Sequence, residues 1–300
     1  MSDSGYCYCD LLKAAVKNVK DAINETKSDA FVILDIGPIG KMLEPIGDLS
    51  FDEAYEIFAS MILMVKDEVD AVLLETMTDL YEVKAGILAV KENSDLPVFV
   101  TMTFESNQRT LTGSEPITFV NVVEGLGADA LGVNCSLGPK ELKPIIETIL
   151  DNTSIPVIIQ PNAGLPRLEN GITCYDITSE EYALEMLDYM NNGVSIVGGC
   201  CGSTPDHIRA IAEVVQSPSV RKPSTKPTAW LAGLDGFVAD GSFVNVGERC
   251  NVAGSRKFLR LISEKSYDEA LSIARAQVRD GAMVLDINMN DAMLDARAEM

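Results

Sequence analysis

Two cysteines stand side by side in Val197-Gly198-Gly199-Cys200-Cys201-Gly202, and a third closes Gly132-Val133-Asn134-Cys135. Flanking glycines let the backbone bend, so adjacent thiols can face one cation. Three thiolates suit Zn2+, which prefers soft ligands in tetrahedral array. Three sulfurs leave a fourth position for an exchangeable ligand, the mark of a catalytic rather than a structural site. Cysteine is also a common small core residue, and spacing alone leaves the metal and the buried-thiol readings both open. Cys7, Cys9, Cys174 and Cys250 fall outside this set, and the single histidine, His207, sits where a helix starts and is expected to cap it or face solvent rather than bind metal.

These residues must be carried by something regular. Short, β-branched, non-alternating apolar runs occur at 31–36, 71–75, 98–104, 130–135, 157–161 and 195–199. Such runs describe parallel strands buried on both faces. Between them lie helical patterns at 51–66, 80–92, 118–125, 140–150, 180–191 and 206–215, after an opening helix at 9–26. Asp52 and Glu53 open one of them, and Thr204-Pro205-Asp206 opens the last. Strand–helix alternation predicts a parallel α/β fold. Polar and small residues gather at the C-terminal strand ends (Glu75-Thr76, Asn134-Cys135, the stretch from Gln160 to Gly164, and Gly198 to Cys201), which favours a barrel with one mouth over an open sheet. A closed (β/α)8 TIM barrel needs eight strands. Only six are visible, so the expectation is a barrel lacking its first two βα units.

The chain has 300 residues, 47% of them hydrophobic, with a formal net charge of -21. That acidic balance argues against nucleic acid or an anionic membrane as partner. Apolar stretches such as 69–74, which Asp70 interrupts, are too short to span a bilayer. No signal peptide is visible, and seven cysteines without a secretion signal point to a reducing cytoplasm. Near 217–228 the texture turns Pro/Ser-rich and locally basic, as in a linker. A strand at 243–247, a loop, a helix near 267–280 and a strand at 283–288 follow. The expected organisation is therefore a barrel over 1–216, a linker over 217–240, and the start of a second (β/α)8 domain over 241–300.

The first 215 residues resemble the homocysteine-binding barrel of cobalamin-dependent methionine synthases. The matching stretches are Gly37-Pro38 with 43–49, then 74–77, 101–104, 109–113, 132–139, 160–166 and 198–205. The resemblance implies that Cys135, Cys200 and Cys201 bind the catalytic zinc, that Asn162 of Gln160-Pro161-Asn162-Ala163-Gly164 is a replaceable zinc ligand, and that Glu75 binds the ammonium of the amino acid. Asn134 and Asn162 are the expected hydrogen-bond donors to its carboxylate. The tail, Val246-Gly247-Glu248-Arg249-Cys250-Asn251 through Ser255 and then Asp286-Ile287-Asn288-Met289, resembles the start of the pterin-binding barrel of the same enzymes. It implies that Asn251, Asp286 and Asn288 read the edges of a pterin.

The implied reaction is methyl transfer to the thiol of L-homocysteine, giving L-methionine. Methylcobalamin is the implied donor, recharged from 5-methyltetrahydrofolate, and a cobalamin-binding domain or subunit the implied partner. This sequence departs from the family in several places. Cys250 and Asn290 stand where Thr and Asp are frequent, and the family's Asp-Gly-Ala-Met-Gly-Thr and Thr-Asn-Thr-Phe strand ends do not occur. Two other readings are a cobalamin-independent homocysteine methyltransferase using betaine or S-methylmethionine, and a zinc-binding fragment without turnover.

Overall fold

The computed structural model describes residues 7–169, 171–215, 230–233, 236–238 and 243–300. They fall into two compact units, Met1–Val238 and Ala239–Met300. Of the linker expected over 217–240, only 230–233 and 236–238 are among the described residues.

In the first unit α1 (Tyr8–Thr26) precedes β1 (Ile33–Ile36), and strand and helix then alternate: α2 (Phe51–Val65), β2 (Ala71–Met77), α3 (Leu80–Asn93), β3 (Val98–Met102), α4 (Pro116–Gly125), β4 (Ala130–Asn134), α5 (Pro139–Asn152) and β5 (Val157–Gln160). A short antiparallel hairpin, β6 (Arg167–Glu169) with β7 (Ile172–Cys174), comes before α6 (Ser179–Asn191), β8 (Ile196–Val197) and α7 (Pro205–Val214). Six strands pair side by side in the order β1-β2-β3-β4-β5-β8, every neighbour parallel. The result is an α/β fold with a curled parallel sheet, its helices supplied by the crossovers that parallel pairing demands.

Local chemistry sets these elements. Ser50 caps α2 by accepting the Glu53 N–H, and the Glu53 carboxylate accepts from the Ser50 N–H at 3.0 Å. Thr178 and Glu181 repeat that box at α6, while proline occupies the first turn of α4, α5 and α7. The inner strands β3 and β4 bury nearly every residue, as their unbroken apolar runs require. Leu74 of β2 packs against Gly86 of α3, where an added Cβ would come within 2.7 Å of the leucine side chain.

Three expectations shift in detail. Strand β1 starts at Ile33, and its alternating burial, with Leu34 and Ile36 buried and Ile33 exposed, makes it a half-exposed edge strand rather than one buried on both faces. Only Ile196 and Val197 of the expected 195–199 strand make ladder pairs; Gly198 and beyond turn away into the cysteine loop. Within the stretch expected to be linker, β9 (Trp230–Ala232) and β10 (Gly236–Val238) form an antiparallel hairpin against α4, near Ile117.

The second unit holds β11 (Val246–Asn251), α8 (Arg256–Ser263), α9 (Tyr267–Arg279), β12 (Val284–Asn288) and α10 (Ala296–Glu299). Its strands pair in parallel, with a bulge between Gly247 and Cys250. Phe258, Leu261 and Ile262 of α8 pack with Cys250, Val252 and Ala270 in a small core. The expectation of a loop between the first strand and α9 is corrected here: the segment is helical, capped by Ser255, whose hydroxyl accepts the Phe258 N–H at 3.3 Å. Basic residues on the outer face of these two turns mask the Phe258/Leu261/Ile262 stripe. Among the described residues no helix is long and apolar enough to cross a membrane.

Candidate metal centre and substrate pocket

Strand β4 ends at Asn134, and the next two residues, Cys135 and Ser136, take left-handed φ values of 59° and 55°. Non-glycine residues hold that conformation only where the surroundings enforce it. Here the enforcement comes from neighbouring loops. Cys135 donates its N–H to the Gln160 carbonyl at 3.1 Å, and Asn162 donates its own to the Leu137 carbonyl at 3.1 Å. The loop after β8 is stitched on in turn: Cys200 N–H to the Pro161 carbonyl at 2.9 Å, Ala163 N–H to the Cys201 carbonyl at 2.9 Å, and Cys201 N–H to Asn162 Oδ1 at 3.1 Å. Gly202, at φ +80°, lies so close to Tyr175 that a Cβ would stand 2.3 Å from the ring's Cγ.

The outcome is that Cys135, Cys200 and Cys201 meet, with all three Sγ atoms within 4.8 Å of one another. The Cys135 and Cys201 sulfurs are 3.7 Å apart. Tetrahedral Zn–S bonds of about 2.3 Å set sulfurs about 3.8 Å apart, so the donor set fits zinc in both chemistry and spacing. The cluster is electrostatically polarised. Hydrogen bonds from Cys200, Cys201, Asn162 and the Ser136 N–H hold the Cys135 thiol down at about 5, in spite of burial. Cys200 is pushed up, because it donates to Cys135 and is partly buried. One thiolate accepting hydrogen bonds from neighbouring thiols makes a site whose donors would lose their protons when a cation binds.

The expected substrate residues surround this cluster. Asn162 is buried, with Oδ1 on the Cys201 N–H and its side chain also bonded to Cys135, so it adjoins the sulfurs. Asn134 is fully buried and engaged at both ends. It accepts the Thr76 N–H at 2.9 Å, donates to Thr76 Oγ1 at 2.7 Å, and lies 3.8 Å from Cys200 Sγ. Those bonds make Asn134 a pin between β2 and the thiols, holding Thr76 at φ 60°. Glu75, half-buried, accepts from Gln160 Nε2 at 2.8 Å and bonds to the Asp35 carboxyl; burial first, then the charge of Asp35, pushes it up. Asp35 and Tyr175 are contributors that motif reading did not single out, and Thr76 and Gln160 were quoted at strand ends without a role. Gln160 lay inside a quoted motif, but Tyr175 carries no local signal and reaches Cys201 only through the fold.

The remaining candidates resolve simply. His207 is buried, with Nδ1 against Thr204 and Nε2 3.1 Å from the Ile177 carbonyl, so it caps α7 from within. Cys7, Cys9, Cys174 and Cys250 lie outside the cluster. In the second unit, Asn251 and Asn288 are register partners at adjacent strand ends, and Asn251 Nδ2 donates to Asp286 Oδ2 at 3.1 Å. Asn251 Oδ1 also caps the Ala253 N–H at 2.9 Å, and Asn288 Oδ1 accepts the Asn290 N–H at 2.8 Å.

Residues 4–215 match the family model described as homocysteine S-methyltransferase. The chain belongs to the homocysteine S-methyltransferase family. It is accordingly a methyltransferase. Residues 247–300 match a second model, that of pterin binding enzymes. Among solved structures, the fold is similar to the homocysteine methyltransferase MmuM from Escherichia coli. The apo form aligns at a TM-score of 0.56 and 18% identity over 68% of this chain and 73% of that one. The metallated form aligns at 0.50 and 18% identity over 67% and 68%. At that identity the likeness to MmuM speaks to the fold, while membership of the homocysteine S-methyltransferase family rests on the sequence match.

Proposed function

We propose that this chain carries the zinc-dependent transfer of a methyl group to the thiol of L-homocysteine, forming L-methionine, with methylcobalamin as donor recharged from 5-methyltetrahydrofolate. The observation that carries the reading is the convergence of three thiols with zinc-compatible spacing beside a carboxylate and an amide. Cys135, Cys200 and Cys201 hold the ion, and Asn162 borders the position that an incoming thiol would take. A free homocysteine thiol, with a pKa near 8.5, is mostly protonated at neutral pH; bound zinc supplies the Lewis acidity that makes it a thiolate there. Glu75 pairs with the α-ammonium, and Asn134 keeps Thr76 and Cys200 in place. In the second unit Asn251, Asp286 and Asn288 present amide and carboxylate groups suited to a pterin edge.

In this reading residues 1–216 form the homocysteine-binding part, built as a TIM barrel of which six strands are present, and 241–300 begin a pterin-binding barrel joined through 217–240. The setting is cytoplasmic, and the enzyme resembles cobalamin-dependent methionine synthase, with the cobalamin on a separate domain or subunit. The pterin-binding match favours this over a betaine or S-methylmethionine donor. A donor comparison with zinc-loaded protein tests it: methionine should form from methylcobalamin and homocysteine, and not from S-methylmethionine. The opposite pattern would assign the cobalamin-independent reaction.

A further inference from the structure

Beside the thiols, the sheet presents a second polar cluster that no metal claims. Asp35 is the third residue of β1, whose Leu34 and Ile36 point the other way into the core. Its carboxyl hydrogen-bonds to that of Glu75 on β2. Two carboxyls bond to each other only by sharing a proton; the carboxyls' partial desolvation raises both, although Asp35 as a residue stays exposed at the sheet edge. Among the described residues their partners are each other and Gln160, with no Lys or Arg neutralising the pair.

Two further atoms point to missing hydrogen-bond partners. Gln160 gives Nε2 to Glu75, and its Oε1 is buried with none among the described residues. Thr101, fully buried, has an unpartnered Oγ1; it follows Val100, the register partner of Leu74, and so stands beside Glu75. The cluster thus has excess acceptors and negative charge. A hard metal ion takes oxygen ligands only, whereas Gln160 directs an N–H donor into this cluster. A primary ammonium carries three N–H donors and one charge.

We propose that Asp35, Glu75 and Gln160 form one acceptor cradle for a primary ammonium group, making Asp35 a residue that selects amino-acid thiols over simple thiols. The inference rests on the homocysteine reading and adds to it a second carboxylate and an amide oxygen. Asp35 sits on the edge strand, away from the sulfurs, so its substitution spares the metal site.

The test compares three probes on the zinc-loaded full chain: L-homocysteine, its deaminated analogue 4-mercaptobutanoate, and its thiol-free analogue L-2-aminobutyrate. Asp35→Asn should weaken L-homocysteine binding about 10- to 100-fold while 4-mercaptobutanoate affinity and zinc content stay at wild-type values. Asp35→Glu should retain more of the homocysteine affinity than Asp35→Asn. Unchanged homocysteine affinity, equal losses for both thiols, or the reverse order of the two variants overturns the cradle. If neither thiol binds the wild type, the homocysteine reading fails by itself. In that case L-2-aminobutyrate decides: binding that Asp35→Asn weakens supports the cradle, and absent or unaffected binding overturns it.

Discussion

The three cysteines are not equivalent before a metal arrives. Cys135 accepts hydrogen bonds from both other thiols and from Asn162, whereas Cys200 is a donor. Each is nonetheless one corner of a set of three, so removing any of them leaves two sulfurs, short of the three protein ligands a catalytic zinc needs. Cys135→Ala, Cys200→Ala and Cys201→Ala are each expected to lose zinc on metal analysis, from about one ion per chain to near none. Stoichiometric zinc in both Cys200→Ala and Cys201→Ala would refute the assignment. Glu75→Gln keeps the side chain's shape and the Gln160 contact but removes the charge. It should weaken homocysteine binding by roughly 1.5–3 kcal/mol, the worth of a charge-assisted hydrogen bond, measurable by calorimetry; an unchanged affinity would reassign Glu75 to a structural role. Glu75 and the cysteines stood out in the sequence because strand-end motifs surround them. Asp35 did not, because one carboxyl in an apolar strand acquires meaning only when Glu75 lies opposite.

The helices that hold the strand ends are specified locally. The box at the start of α2 joins Ser50 and Glu53 through reciprocal hydrogen bonds. Ser50→Ala should therefore cost about 1 kcal/mol of stability, read from denaturant unfolding. The same bonds hold the Glu53 carboxyl below its usual value. A group depressed in the folded state stabilises fully above its unfolded pKa, and that contribution is lost as pH falls through the lower folded value. The penalty of Ser50→Ala should accordingly be constant near neutrality and shrink in acid below the ordinary glutamate range; a penalty that grows on acidification would contradict the box. The start of α2 was legible from Asp52 and Glu53 and that of α7 from Thr204-Pro205-Asp206, whereas the capping roles of Ser50 and Thr178 were not singled out. The hairpins β6–β7 and β9–β10 were not, since three-residue strands give too little periodicity to register.

All three proposed metal ligands lie in the first of two compact units. A ligand that binds only the folded state stabilises by mass action, about 4 kcal/mol at a thousandfold excess over its dissociation constant. For a unit of this size that corresponds to roughly 8–16 °C in unfolding temperature. Scanning calorimetry with and without a strong chelator should show a zinc-dependent transition for the first unit, while the portion of the heat from the second unit stays in place. A shift of the whole profile, or none, would count against a zinc site confined to Cys135, Cys200 and Cys201.

The α/β class and the alternation of six strands with their helices followed from local pattern, and the three cysteines stood out there as candidates that the family resemblance then implied to be zinc ligands. Apolar runs of strand length, helical periodicity, and glycines around paired thiols are properties of neighbouring residues, and burial on both faces of a parallel sheet leaves them little freedom. What the tertiary structure alone decided was which distant groups share a space. The 3.7 Å approach of Cys135 to Cys201, the consumption of Asn134 by Thr76, and the pairing of Asp35 with Glu75 across β1 and β2 each join residues from separate strands. Their meeting depends on register and on loop geometry, including the left-handed backbone at Cys135 and Ser136. Such conformations are intrinsically unfavourable for these residues, so no local preference announces them; the packed sheet and its stitched loops impose them.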